Sequence, residues 1–258
     1  MNEENLIKYY NKFNEDKRLT RRLGFVEFTS AMEYITKYLE KMKNPKILDV
    51  GAGTGRYSIE LSNLGYDVTA VELVKHNLAT LKKNYPNIKS FQGNAINLGK
   101  FNDESFDMVL LFGPLYHLIS KEEKLKALME AKRVVKTGGI IMISYYMNEY
   151  AILTYGFKEN NILNAIKNND IDKTYHITPK ETELYSMVRL EDINELKKLA
   201  NLKRLKILSQ DGATDYIRSV INKMDVETFK EYIKYHLSIC ERKELLGASS
   251  HVLDILKK

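Results

Sequence analysis

The sequence predicts an α/β protein built on a doubly wound, mostly parallel sheet, and three observations carry that prediction. Short apolar, β-branched runs alternate with amphipathic helical stretches from residue 46 to residue 146. The first such run ends in a cluster of glycines, where a strand can turn sharply into a helix. The stretches between runs are long enough to act as the crossovers that parallel strands require.

Each element follows from its residues. Residues 2–43 read as two helices: Phe25, Phe28, Met32, Ile35, Tyr38, Leu39 and Met42 recur three or four positions apart, with Thr29 or Ser30 near the start of the second. Pro45 ends that helix, and residues 46–50 form a buried strand. A helix over 56–64 closes at Gly65, and 66–71 is the second strand. A further helix runs through Lys83 to the turn at 85–87, followed by strands at 88–92 and 106–112. A helix over 121–135, a Gly138-Gly139 turn and a strand at 140–145 complete the alternation.

The pattern breaks over 147–183, which is polar, rich in Asn and aromatic residues, and without a clean strand. That stretch reads as a lid inserted over the sheet's carboxyl edge, where open α/β sheets bind ligands. Regularity resumes with a helix at 190–200, a strand at 205–209, helices within 215–246 and a strand at 251–256. Residues 1–44 are thus a helical segment packing on one core domain, 45–258.

Composition excludes several classes. The chain has 258 residues, 44% apolar and 29% charged, which suits a packed globular core. Cys240 is the only cysteine, so no intrachain disulfide and no Cys-clustered metal site can form. No apolar run reaches membrane-spanning length and the N-terminal stretch lacks the pattern of a signal peptide, so a cytoplasmic protein is expected. The net charge of +6 is spread thinly. Lys197, Lys198, Lys203, Arg204 and Lys206 form its densest group, read as a solvated helix face rather than a phosphate patch. A nucleic-acid partner is permitted but not favoured, and oligomeric state is left open.

The strongest motif is Asp49-Val-Gly51-Ala52-Gly53-Thr-Gly55. A dinucleotide fingerprint would place its third glycine at position 56, which is Arg56 here, so the ligand of this turn differs from a pyrophosphate. Glu72 ends the second strand, where a carboxylate can accept from both hydroxyls of a ribose. The third strand runs into Gly93-Asn94-Ala95.

These landmarks, with the Lys-Thr-Gly-Gly turn at 136–139, resemble the class I S-adenosylmethionine-dependent methyltransferases. The resemblance covers most of the chain and implies a Rossmann-like sheet of seven strands, the last antiparallel. It places Gly51, Ala52, Gly53 and Gly55 against the methionine part of S-adenosylmethionine, with Asp49 supporting the turn. It places Glu72 at the ribose, Leu73 on the adenine, and Asn94 with Ala95 at the adenine amino edge. The family usually has Asp at position 94, and Asn94 keeps a hydrogen-bonding side chain there. The cofactor's carboxylate would pair with Arg56 or Arg18. Tyr9 and Tyr10 either close over the cofactor or pack the first helix on the sheet.

Methyl transfer from a sulfonium asks mainly for alignment and exclusion of water. Phe112 and the residues through His117 would line the methyl group. His117 is either a general base for an acceptor hydroxyl or ammonium, or a histidine satisfied by backbone beneath the site. Gly113-Pro114-Leu115-Tyr116 matches poorly the motif of adenine-amine methylation. Tyr145, Tyr146, Tyr150, Tyr155 and Phe157 form either an apolar lid or that lid's own core. His176 and His251 read as too scattered among the acids for a metal site. The reading that follows is an enzyme transferring a methyl group to oxygen or nitrogen of a small molecule. Its alternatives are an RNA or protein methyltransferase, or a cofactor-binding protein without catalysis.

Overall fold

A computed structural model describes residues 3–10 and 21–258; Arg18 lies outside them. Strands β1 (Lys46–Val50), β2 (Asp67–Glu72), β3 (Lys89–Gln92), β4 (Phe106–Phe112), β5 (Val135–Tyr146), β6 (Lys203–Ser209) and β7 (His251–Lys257) form one seven-stranded sheet. Its order is β3-β2-β1-β4-β5-β7-β6, parallel from β3 to β5, with β7 antiparallel between β5 and β6. The expected doubly wound sheet with one reversed strand is therefore present.

The helices are α1 (Glu3–Tyr10), α2 (Arg22–Leu39), α3 (Arg56–Asn63), α4 (Lys75–Asn84), α5 (Pro114–His117), α6 (Lys121–Val134), α7 (Asn148–Ala151), α8 (Ile162–Lys167), α9 (Leu190–Leu199), α10 (Arg218–Ile221) and α11 (Val226–Ile239). Successive side chains of a strand point to opposite faces, and both faces of this sheet are covered. Leu48, Val50, Val109, Leu111, Ile141 and Ile143 pack on one side with Leu128 and Ala131 of α6. Ile47, Met108, Leu110 and Met142 pack on the other with Ile35 and Leu39 of α2.

Three local expectations change. The second helix starts at Arg22, so Thr29 and Ser30 sit in its interior; the Ser30 hydroxyl donates to the Val26 carbonyl at 2.9 Å rather than capping. The Gly138-Gly139 turn is a bulge inside β5, since register jumps between Phe106↔Val135 and Met108↔Ile140. Gly138 adopts φ +83°, and a Cβ on Gly139 would stand 2.8 Å from the Asp107 carbonyl oxygen. The basic group is not one helix face. Lys197 and Lys198 end α9, whereas Arg204 and Lys206 on β6 are bonded to Asp254 and Glu241.

Residues 147–183 carry α7, a π-helical turn at Ile152–Lys158 and α8, with only isolated bridges Met147↔Val188 and Ile171↔Ile177. Among the described residues, no helix is long and apolar enough to cross a membrane.

The Arg204–Asp254 pair tests the sheet's far edge. Asp254 is fully buried and accepts both arms of the Arg204 guanidinium at 2.7 Å. Arg204→Met leaves a buried carboxylate unpaired and should lower the unfolding free energy by about 3 kcal/mol in urea titration. Arg204→Met with Asp254→Leu should recover most of that loss.

Candidate active site

The site begins where strand order reverses. Between β1 and β4 the chain leaves the sheet in opposite directions, which opens a crevice at the carboxyl edge. Gly51, Gly53, Glu72, Leu73, Asn94, Ala95 and Phe112 line it, brought from four strand tips, with Leu6 and Tyr10 of α1 and His117 of α5.

The glycine turn needs its glycines for stated reasons. Gly51, Gly53 and Gly55 all have positive φ (79°, 59° and 97°). A Cβ on Gly51 would lie 2.7 Å from the Pro114 ring, and one on Gly55 2.4 Å from Leu81. Gly55 therefore seats α3 against α4 and does not face the crevice. Ala52 packs by the Ala70, Leu81 and Ile88 cluster, also off the lining.

Two buried carboxylates hold this turn. Glu72 accepts the Gly53 and Val74 amides, each at 2.8 Å, and faces the crevice. Burial pushes its carboxyl up to about 6 despite those donors. Asp49 lies beneath, accepting the Ser58 hydroxyl at 2.6 Å, and burial raises it to about 6 as well. Asp49 is thus a support rather than part of the lining. Arg56 is not in the lining either: its guanidinium lies 4.1 Å over the Phe28 ring, and its Nε is buried with no hydrogen-bond partner among the described residues. Asn94 faces the crevice, and its Oδ1 accepts the Ile96 amide at 3.2 Å.

His117 is committed on both ring nitrogens. Nδ1 stands 2.9 Å from the Leu184 carbonyl, so it carries the proton, and Nε2 stands 2.8 Å from the Tyr10 hydroxyl. The ring thereby ties α1 and residue 184 to α5. Of the two N-terminal tyrosines, Tyr10 faces the crevice, while Tyr9 packs edge-on against Tyr185.

A second, roomier cavity of about 420 Å³ adjoins the crevice through Tyr10 and Tyr116, which line both. Tyr116, Tyr146, Tyr150 and Tyr185 form its walls, with Glu27, Asp211, Asp215 and His251 among them. The expected aromatic cluster therefore divides. Tyr145 is in the core, Tyr155 and Phe157 are 62% and 54% exposed, and only Tyr146 and Tyr150 face the cavity. Tyr185 is held there because Ser186 donates its amide to the Tyr116 carbonyl at 2.7 Å and accepts from the buried Lys124 ammonium at 2.8 Å.

His251 is not scattered from the acids. Glu27, Asp211 and His251 bring one potential ligand atom each within 4.8 Å of one another. Residues so far apart in sequence offered no local signal for this. Nor did Leu6 or Asn77, which also line the crevice, whereas Pro114 lies there within the segment expected to do so.

Sheet order, glycine turn and acidic strand tip together define a class I S-adenosylmethionine-dependent methyltransferase fold. Residues 48–143 match the family model described as a methyltransferase domain. It is 37% identical over 115 residues to a demethylmenaquinone methyltransferase of Chlorobaculum tepidum, covering 44% of this chain and 46% of that one. The chain thus spans about half the length of that relative. It is 26% identical to a ubiquinone biosynthesis O-methyltransferase of Rickettsia typhi, over 79% of this chain and 86% of the other. Among solved structures, a Thermotoga maritima protein described as a possible histamine N-methyltransferase superposes with a TM-score of 0.61 at 18% identity, covering 97% and 98% of the two chains. That likeness is one of fold.

Gly51→Ala combines a positive φ with a clash against Pro114. It should cost at least about 2 kcal/mol, seen as a fall of roughly 5 °C in Tm. Gly65→Ala, where an added Cβ meets nothing within 4 Å, should cost only the φ strain and shift Tm less.

Proposed function

We propose that this protein is a methyltransferase that uses S-adenosylmethionine to methylate oxygen or nitrogen of a small molecule. The observation that carries the reading is the pair of adjoining cavities. One is lined by the tips of β1, β2 and β4 and the turn after β3; the other is walled by tyrosines and meets it at Tyr10 and Tyr116.

The residues of the crevice fit such a cofactor. Glu72 keeps lone pairs for ribose hydroxyls beyond its two backbone donors, and Leu73 with Ala95 offers apolar surface to an adenine. The cofactor when bound supplies an electrophilic methyl group. The chain's own part is to orient the acceptor and exclude water, a role suited to α1 and residues 147–188. Residues 1–44 act in this reading as a helical cover on the core domain 45–258. Carboxylates on the second cavity favour a small acceptor over the phosphates of RNA. His117, held by Tyr10 and Leu184, serves to position that cover.

Methyl-tritiated S-adenosylmethionine incubated with the protein and a metabolite extract should label a low-molecular-weight product; label confined to RNA or protein would sink the small-molecule reading. Cofactor affinity should also depend on Glu72. Ribose hydroxyls bond to its ionised form, so the calorimetric Kd should be flat above pH 7 and weaken as pH falls through about 6. Glu72→Gln should remove that dependence and raise the Kd about 10- to 100-fold.

A further inference from the structure

The two cavities differ in what makes them apolar. The crevice draws largely on aliphatic side chains, among them Leu6, Leu73, Val74 and Leu118. In the roomier cavity Leu23 is the one aliphatic side chain on the lining, and the remaining apolar surface belongs to the rings of Tyr10, Tyr116, Tyr146, Tyr150 and Tyr185.

Tyr146 is the centre of that ring cluster. It is the last residue of β5 and pairs in register with His251, the first of β7, whose ring stacks on its own at 5.2 Å between centroids. Tyr150 and Tyr185 each come to 5.7 Å from it, and Tyr116, on the boundary with the crevice, to 6.3 Å. The neighbouring rings are fixed at their far ends: the Tyr150 hydroxyl donates to Asp215, and that of Tyr185 to Tyr9 at 3.4 Å. The Tyr146 hydroxyl has no partner among the described residues. Burial, with Asp211 and Asp215 nearby, holds its phenol well above the ordinary value, so it stays protonated and can donate or accept.

The charges on the lining are already matched to one another. Asp215 accepts Arg218 Nε at 2.6 Å as well as the Tyr150 hydroxyl. Asp211 accepts the Ser249 hydroxyl at 2.9 Å, the His251 amide at 2.8 Å and the Ser250 hydroxyl, and meets the His251 ring at 2.7 Å. Glu27 and His251 have further interactions of their own. Arg21 is exposed at the rim, where water and salt screen it. A charged acceptor would have to draw one of these groups from its partner, at the cost of a buried unpaired polar atom. A neutral acceptor disturbs none of them. A flat unsaturated ring also gains ring-on-ring attraction beyond its buried area, which a saturated skeleton of the same size does not.

Resting on the methyltransferase reading, we propose that the acceptor is a neutral, planar aromatic molecule and that Tyr146 selects it, by ring contact and by a hydrogen bond from its hydroxyl to a polar substituent. Tyr146 is on this account a specificity-determining residue, and the cofactor crevice does not depend on it.

The test uses the full chain with its crevice filled by S-adenosylhomocysteine, and reads probe binding by calorimetry. 2-Naphthol should bind about tenfold more tightly than decahydro-2-naphthol, its saturated counterpart. It should also bind more tightly than 2-naphthoate or 2-naphthylmethylammonium, which carry the same ring with a charge. Tyr146→Leu should remove most of the ring preference while cofactor Kd stays within about threefold. Tyr146→Phe, the milder change, should keep the ring preference and lose a roughly fivefold advantage of 2-naphthol over 2-methylnaphthalene. The product labelled from a metabolite extract should be uncharged in its acceptor part and absorb in the near ultraviolet. No cofactor binding, or label confined to RNA or protein, would defeat the small-molecule methyltransferase reading itself. With cofactor binding intact, any of four results would overturn this inference only: no binding of 2-naphthol, equal binding of the saturated alcohol, tighter binding of a charged probe, or an unchanged ring preference in Tyr146→Leu. A labelled small product without an aromatic ring would do the same.

Discussion

The hydrogen bonds from the Gly53 and Val74 amides to Glu72 are the interaction on which the site depends. They tie the tip of β2 to the turn after β1 while leaving the carboxylate on the crevice wall. A carboxylate is the group for this place because it can accept from backbone and ligand at once. Its burial is costly, and the two backbone amides, with the Asn77 side chain, offset part of that cost. Asp49 repeats the arrangement one layer down through Ser58. The turn between them has so little freedom that a single methyl group at residue 51 would strike Pro114.

The crevice is then closed by elements distant in sequence. Pro114 opens α5 directly over Gly51, which brings His117 to the crevice and Tyr116 to the boundary between the two cavities. His117 uses its two nitrogens to hold Tyr10 from one side and the Leu184 carbonyl from the other. Ring contacts fill the seam, edge-on between His117 and both Tyr10 and Tyr116, and tilted where Tyr185 meets Tyr116 and His117. The wall between the crevice and the second cavity is therefore aromatic and shared.

Behind that wall, Lys124 does structural work unusual for a lysine. Its ammonium is buried and donates to the Leu118 and Ile119 carbonyls and to Ser186. Burial pulls it down to about 8, with nearby acids resisting. Three acceptors satisfy its three donors, so residues 184–188 are fastened to α6 although they belong to no strand or helix. Tyr185 and the Leu184 carbonyl owe their positions to this anchor.

What the sequence determined by itself was the sheet and the crevice along its edge. β1, β2 and β4 were legible because each is a short apolar run bounded by turn chemistry, and Gly51, Gly53, Glu72 and Asn94 because each sits at the end of such a run. Local spacing is enough where function lies at a strand tip. It misjudged the Gly138-Gly139 turn, which only pairing with β4 turns into a bulge, and it could not tell that Arg56 would spend its charge on Phe28. The second cavity was decided by tertiary structure alone. Glu27, Tyr116, Asp211 and His251 come from α2, α5, the end of β6 and the start of β7, and no periodicity links them. They meet because β7 enters the sheet antiparallel, which carries its first residue to the edge where the parallel strands end.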